Sequence, residues 1–156
     1  YLAQINTRSQ QMMQSMDDIL WTLAPENDSM SAIVNRIEEY VYKLRSSGLA
    51  NIDLLVDREV SALSLDMRGR QLLLRLIKES ISGLLRAGVH QAQVHLGKDK
   101  MQLSYVIEFE KAGTDLTVLN NLLQSREMFG LLSDMGATHQ MDLHQTIGFL
   151  HVHIPL

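Results

Sequence analysis

A chain of 156 residues is long enough for one domain with a sizeable core and a short extra element. With 46% hydrophobic and 21% charged residues it has the composition of a chain that folds rather than one that stays disordered. A net charge of −4 leaves no basic footprint for nucleic acid, no window is apolar over the ~18 residues of a membrane span, and the lack of cysteine excludes disulfides, thiolate metal sites and thiol nucleophiles. The chain does not begin with Met and carries no signal peptide. We therefore read it as a segment of a longer protein on the cytoplasmic side, with room upstream for a sensor or a membrane anchor.

The first element predicted is a helix. Leu2, Ile5, Ser9, Met12, Met16, Ile19 and Leu23 fall on alternating steps of three and four, the a/d seam of a coiled coil interrupted by one serine. Such a seam wants a partner helix, although the same spacing also serves a helix packed on its own domain. Pro25 stops the helix, because the residue before a proline is pushed out of the α region. Asp28 or Ser29 can then cap a second helix, which makes "APEND" a hinge. Met30, Ile33, Val34, Ile37, Val41 and Leu44 form the apolar face of that helix, and Gly48 suits its left-handed C-terminal position.

Ile52, Leu54 and Val56 alternate as a strand. Leu72, Leu73, Leu76, Ile77, Ile81, Leu84 and Leu85 mark a long helix ending near Gly88. A hairpin is expected in "AQVHLGKDKMQLSYVIEFE", with its turn at Gly97 to Lys100 and with Leu103, Tyr105 and Ile107 on the second strand. One helix is predicted from Asp115 to Met135, with Leu116, Leu119, Leu122, Leu123 and Phe129 apolar. Two strands close the chain, the second placing Phe149 with the histidines and Leu150 with Val152 and Ile154. Strands and helices segregate into an α+β sandwich, with no internal repeat and no low-complexity linker.

Few residues suggest chemistry by themselves. His151 and His153 alternate on the last strand near His144, but no acid or thiolate stands at ligand spacing, so a solvated strand face is favoured and no metal site is assigned. Asp17 and Asp18 are adjacent on a helix and point about 100° apart, which suits surface acids better than an acid/base pair.

"MDDILWTLAPENDSMSAIVNRIEEYVYKLRSSGL" resembles the end of the dimerisation helix and the first catalytic-domain helix of two-component sensor histidine kinases. Trp21 and Ala24-Pro25-Glu26-Asn27-Asp28-Ser29 stand where one subgroup has a tryptophan and Asn-Pro-x-Asn-Asp-Ser. "LLLRLIKESISGLLRAGVHQAQVHL" is similar to the helix and strand of the family's first nucleotide motif, and "LLSDMGATHQMDLHQTIGFLHVHIPL" to its closing hairpin. The resemblance implies the two-layer sandwich of the histidine kinase/gyrase/Hsp90-type ATPases over residues 25–156, with 1–24 as the C-terminal part of the dimerisation helix. It implies a homodimer through Leu2, Ile5, Met12, Met16, Ile19 and Leu23, a response regulator or another kinase subunit as further partner, and a phosphoacceptor histidine upstream of Tyr1.

The family's site residues carry over only in part. Glu79 and Arg86 match, and are the candidates for a catalytic role, but the asparagine that holds Mg²⁺ falls on Gly83, which has no ligand to offer. Aligned on Gly113, the adenine-reading aspartate becomes Phe109 and the first glycine Lys111; a register slipped by one makes Glu108 or Glu110 the acid without restoring the glycines. Between Gly113 and Phe129 the family has a mobile lid and a Gly-x-Gly phosphate loop, whereas "TDLTVLNNLLQSREMFG" is periodic as a helix. Two functions stay open. One is a degenerate module that has lost nucleotide chemistry, needs no cofactor and acts by dimerisation and partner contacts, which the missing side chains favour. The other is an active kinase using Mg-ATP to phosphorylate the upstream histidine.

Overall fold

The computed structural model describes residues 16–156, so Leu2, Ile5, Ser9 and Met12 of the predicted seam lie outside the described residues. Within them, a helix α1 covers 16–23 and gives way to a 3-10 turn at Pro25–Asn27. The remaining elements are α2 (Met30–Ser46), β1 (Asn51–Val56), α3 (Arg58–Ser61), α4 (Met67–Arg86), β2 (Gln91–Asp99), β3 (Gln102–Glu110), α5 (Leu116–Leu123), α6 (Arg126–Asp134), β4 (Thr138–Leu143) and β5 (Ile147–Pro155). The strands form one sheet in the order β1-β2-β3-β5-β4, parallel between β1 and β2 and antiparallel elsewhere.

Each long helix is amphipathic for a reason visible in its residues. All six apolar positions predicted for α2 are buried, Ser29 rather than Asp28 caps it through the Ala32 amide, and Gly48 ends it with φ 75. An oxygen cap of this kind is worth about 1 kcal/mol. Asp66 caps α4 in the same way through the Gly69 amide, and Leu73, Leu76, Ile77, Ile81 and Leu84 are buried along the face turned to the sheet. From the other side, Leu103, Tyr105, Ile107 and Phe109 of β3 and Leu150, Val152 and Ile154 of β5 complete the core. Tyr105 is the polar exception. Its hydroxyl meets that of Ser80 at 2.6 Å, and burial pushes its ionisation well above the usual phenol range.

Among the described residues, helices cover one face of the sheet only. Phe149, His151 and His153 project from the other, with ring centroids 5.9 and 6.5 Å apart along β5. His151 meets Asp142 at 3.4 Å, and among the described residues no group of three or more His, Cys, Asp or Glu side chains could hold a metal ion. No helix among them is long and apolar enough to cross a membrane.

Three expectations need correction. The hairpin turn is Lys100–Met101, not Gly97 to Lys100: Lys100 takes the left-handed conformation at φ 55, and β2 runs on to Asp99. Gly97 serves a close approach instead, since a Cβ there would lie 2.6 Å from Asp57 Oδ2. The single helix from Asp115 to Met135 is two, because α5 ends at Leu123 with Gln124 as its C-cap and the Ser125 hydroxyl accepts the Met128 amide to start α6. That break resets the helical phase. α6 buries Met128, Leu131 and Leu132 and leaves Phe129, expected on the apolar face, 71% exposed.

Candidate functional site

Four segments converge where the resemblance places nucleotide: the second half of α4, the loop after β3, α5, and the start of α6. α4 brings Glu79, Gly83 and Arg86 to one end of the sandwich. The loop 111–115 is tied to the end of α4 by the Asp115 amide, which donates to the Ala87 carbonyl at 2.7 Å. Gly88 and Gly113 both have positive φ, 90 and 78, and a Cβ on Gly88 would come within 2.8 Å of the Gly113 carbonyl oxygen. Glycine at 88 permits the two backbones to touch, and glycine at 113 takes a left-handed conformation without strain.

The centre of this region is filled by the chain itself. Leu122, on the inner side of α5, projects onto the bare backbone of Gly83; a Cβ built there would overlap Leu122 Cδ2 and lie 2.9 Å from Cδ1 and Cγ. Gly83 is buried, offers no oxygen ligand, and leaves room for no side chain. Phe109 is 2% exposed, with its ring stacked on the backbone of Gly148 in β5, where a Cβ would meet Cε2 at 2.7 Å. An apolar ring there replaces any acceptor for an exocyclic amine. Lys111 turns to the β4–β5 connection: its amide donates to the Thr146 carbonyl at 3.0 Å and its ammonium to the His144 carbonyl at 2.8 Å.

Glu79 and Arg86 remain polar but are not brought into a ligand-ready pair. Arg86 is exposed at the last turn of α4, and Glu79 is half-buried one turn before Gly83 on the same side of the helix. Burial, and then the Glu127 carboxylate, hold the Glu79 carboxyl above the usual glutamate range, with Arg86 and Arg75 acting against them. A carboxyl raised in this way binds its proton more tightly in the folded than in the unfolded chain. Its ionisation therefore erodes stability as pH climbs above the ordinary value of about 4.3. Glu79→Gln is expected to raise Tm at about pH 7 and to leave it unchanged at about pH 3.5, where folded and unfolded chains are both protonated. Melting curves across that range check this; an identical difference at every pH would assign the effect to something other than the carboxyl.

Residue reading alone missed two features. Leu122 was visible only as one of several leucines on an apolar helix face, and nothing in its spacing pairs it with Gly83. Asp18, taken as a surface acid, is instead 17% exposed at its side chain and engaged by Lys78 and Arg36, so the junction expected to act as a hinge is braced.

A scan against protein-family models finds none that matches, and a search of the curated proteins finds no match either. Solved structures do match. The blue-light activated histidine kinase EL346 of Erythrobacter litoralis aligns over 99% of this chain at TM-score 0.69 and 17% identity, and the chain spans 50% of that protein. Acinetobacter baumannii histidine kinase AdeS aligns over 99% of this chain and 81% of its own at TM-score 0.58 and 13% identity. The catalytic domain of histidine kinase ThkA aligns over 81% of this chain and 92% of its own at TM-score 0.54 and 7% identity. The chain therefore has the α+β fold of histidine kinase catalytic domains.

Proposed function

We propose that this chain is the C-terminal module of a two-component sensor histidine kinase-like protein whose nucleotide site is closed, and that it acts by self-association and by contact with partner proteins. The observation that carries this reading is Leu122 standing in the space over Gly83, at the position from which the family's asparagine holds Mg²⁺. A phosphoryl-transfer site works by positioning and charge neutralisation around a metal ion. Here the metal position is a glycine under a leucine, and the adenine position is a buried phenylalanine. Loss of a metal contact and of a charge-assisted hydrogen bond, each worth about 1.5–3 kcal/mol, weakens binding by roughly two to four powers of ten.

The apolar face of α1 supports the second half of the proposal. Met16, Ile19, Leu20 and Leu23 are 60%, 50%, 63% and 51% exposed, although the sequence spaces three of them as a coiled-coil seam. A homodimer through this helix would cover them, with a response regulator or another kinase subunit as the further partner. The alternative is an active kinase that uses Mg-ATP, with Glu79 and Arg86 in the site, to phosphorylate a histidine upstream.

Nucleotide titration separates the two. With Mg-ATP or Mg-ADP at about 1 mM, the expected result is no calorimetric heat and no rise in melting temperature. A Mg²⁺-dependent rise saturating below about 100 µM would overturn the closed-site reading and favour the active kinase.

A further inference from the structure

The junction between α1 and the sandwich carries more polar cross-links than a passive linker needs. Lys78 of α4 donates to both Asp18 oxygens at 2.9 and 2.8 Å, and Arg36 of α2 reaches Oδ1 at 3.2 Å. Each cation also rests on an aromatic ring, Arg36 at 4.9 Å from the Trp21 centroid and Lys78 at 5.2 Å from that of Tyr40. One turn further along α1, Thr22 is 1% exposed; its hydroxyl donates to the α1 backbone and accepts from Gln71 Nε2 at 3.0 Å. After the helix, Asn27 Nδ2 donates to the Trp21 carbonyl at 2.8 Å, and Asp28 pairs with the buried Arg70.

We propose that Asp18, held between Lys78 and Arg36, is an electrostatic latch that makes α1 and the sandwich one rigid body. The charge count gives the latch its sign. Two cations converge on one carboxylate, so the acid supplies the charge attraction between them; without it, Arg36 and Lys78 face each other at close range and repel. The other charged groups lining the cleft between α1 and α4 are Arg68, Arg75 and Glu79, of which only Glu79 is an acid. The latch rests on the reading given above, a module that acts by self-association through α1 and by partner contacts. With no nucleotide chemistry, a displacement at the α1 seam reaches the rest of the module only if α1 is rigidly joined to it. The reading on nucleotide and the latch fail separately, because the latch is measured with no nucleotide present.

The chain has no cysteine, so two introduced thiols are its only labelling sites. Spin labels at Asp17→Cys and Lys98→Cys, both exposed, report α1 against the sheet; labels at Glu38→Cys and Lys98→Cys report the sandwich alone. Labelled chain is diluted with unlabelled chain so that a dimer contributes one pair. The parent and Asp18→Glu are expected to give a narrow distance distribution for the first pair. Asp18→Asn is expected at least to double its width while leaving the second pair unchanged. An unchanged width in Asp18→Asn would overturn the latch and assign the rigidity to packing. Should the second pair broaden as well, the double variant Arg36→Gln with Lys78→Gln decides: a broadened first pair with an intact second supports the latch, and a narrow first pair overturns it.

Discussion

Gly83→Asn is expected to destabilise the sandwich by about 1–3 kcal/mol instead of giving it a metal ligand, because the side chain enters a packed interior. The position has no spare volume: Leu122 occupies the space that the first side-chain atom needs, and α4 and α5 are both anchored, α4 in the core and α5 by Asp115, whose carboxylate accepts the Thr117 and Val118 amides. Relief requires Leu122 to turn to another rotamer or α5 to move away from α4. Leu122→Ala alone removes apolar contacts and is destabilising as well. Together the two substitutions are expected to cost less than the sum of each, with a coupling of about 0.5–3 kcal/mol, since the alanine makes room for the asparagine. Urea unfolding of the parent, both single variants and the double variant gives the cycle. Strict additivity would mean that Leu122 does not fill the space over Gly83, and the closed-site reading would lose its main support. Even the relieved double variant is expected to ignore nucleotide, because Phe109 remains buried against Gly148.

Charging the exposed face of α1 should have a larger effect, on assembly instead of on folding. Met16→Asp with Leu23→Asp places two acids on a stripe that is more than half exposed within one chain, so the sandwich is expected to melt within a few degrees of the parent. In a dimer the same pair removes four apolar side chains from the seam. At about 1.5–3 kcal/mol for each burial forgone, the loss is roughly 6–12 kcal/mol, or four or more powers of ten in dissociation constant. Analytical ultracentrifugation of a chain extended upstream by the preceding helix is the measurement. The parent is expected at twice the mass of the variant at micromolar concentration; equal masses would show that this stripe is not where chains meet.

The periodic elements were legible in the residues because burial of an amphipathic face depends on spacing alone. All six predicted positions of α2 and all but one of the seven of α4 are buried, and β5 sorts its residues between the two faces of the sheet as alternation requires. The departures from the family pattern at Gly83, Phe109 and Lys111 were also readable, since a missing ligand is a property of one residue type. Local sequence determined helix and strand, and which residue types stand at Gly83, Phe109 and Lys111. What occupies those positions was a question of tertiary packing. Leu122 meets Gly83 from a separate helix, α5, which ends where Ser125 caps α6, and nothing in the spacing of either residue pairs them. Asp18 likewise differs from Asp17 in nothing that sequence can express. Only the docking of α1 against α2 and α4 brings Arg36 and Lys78 to it, turning a surface acid into the centre of a braced junction. Spacing along a chain decides which side of an element is apolar; which distant side chain enters a given gap is decided by the packing of the elements against each other.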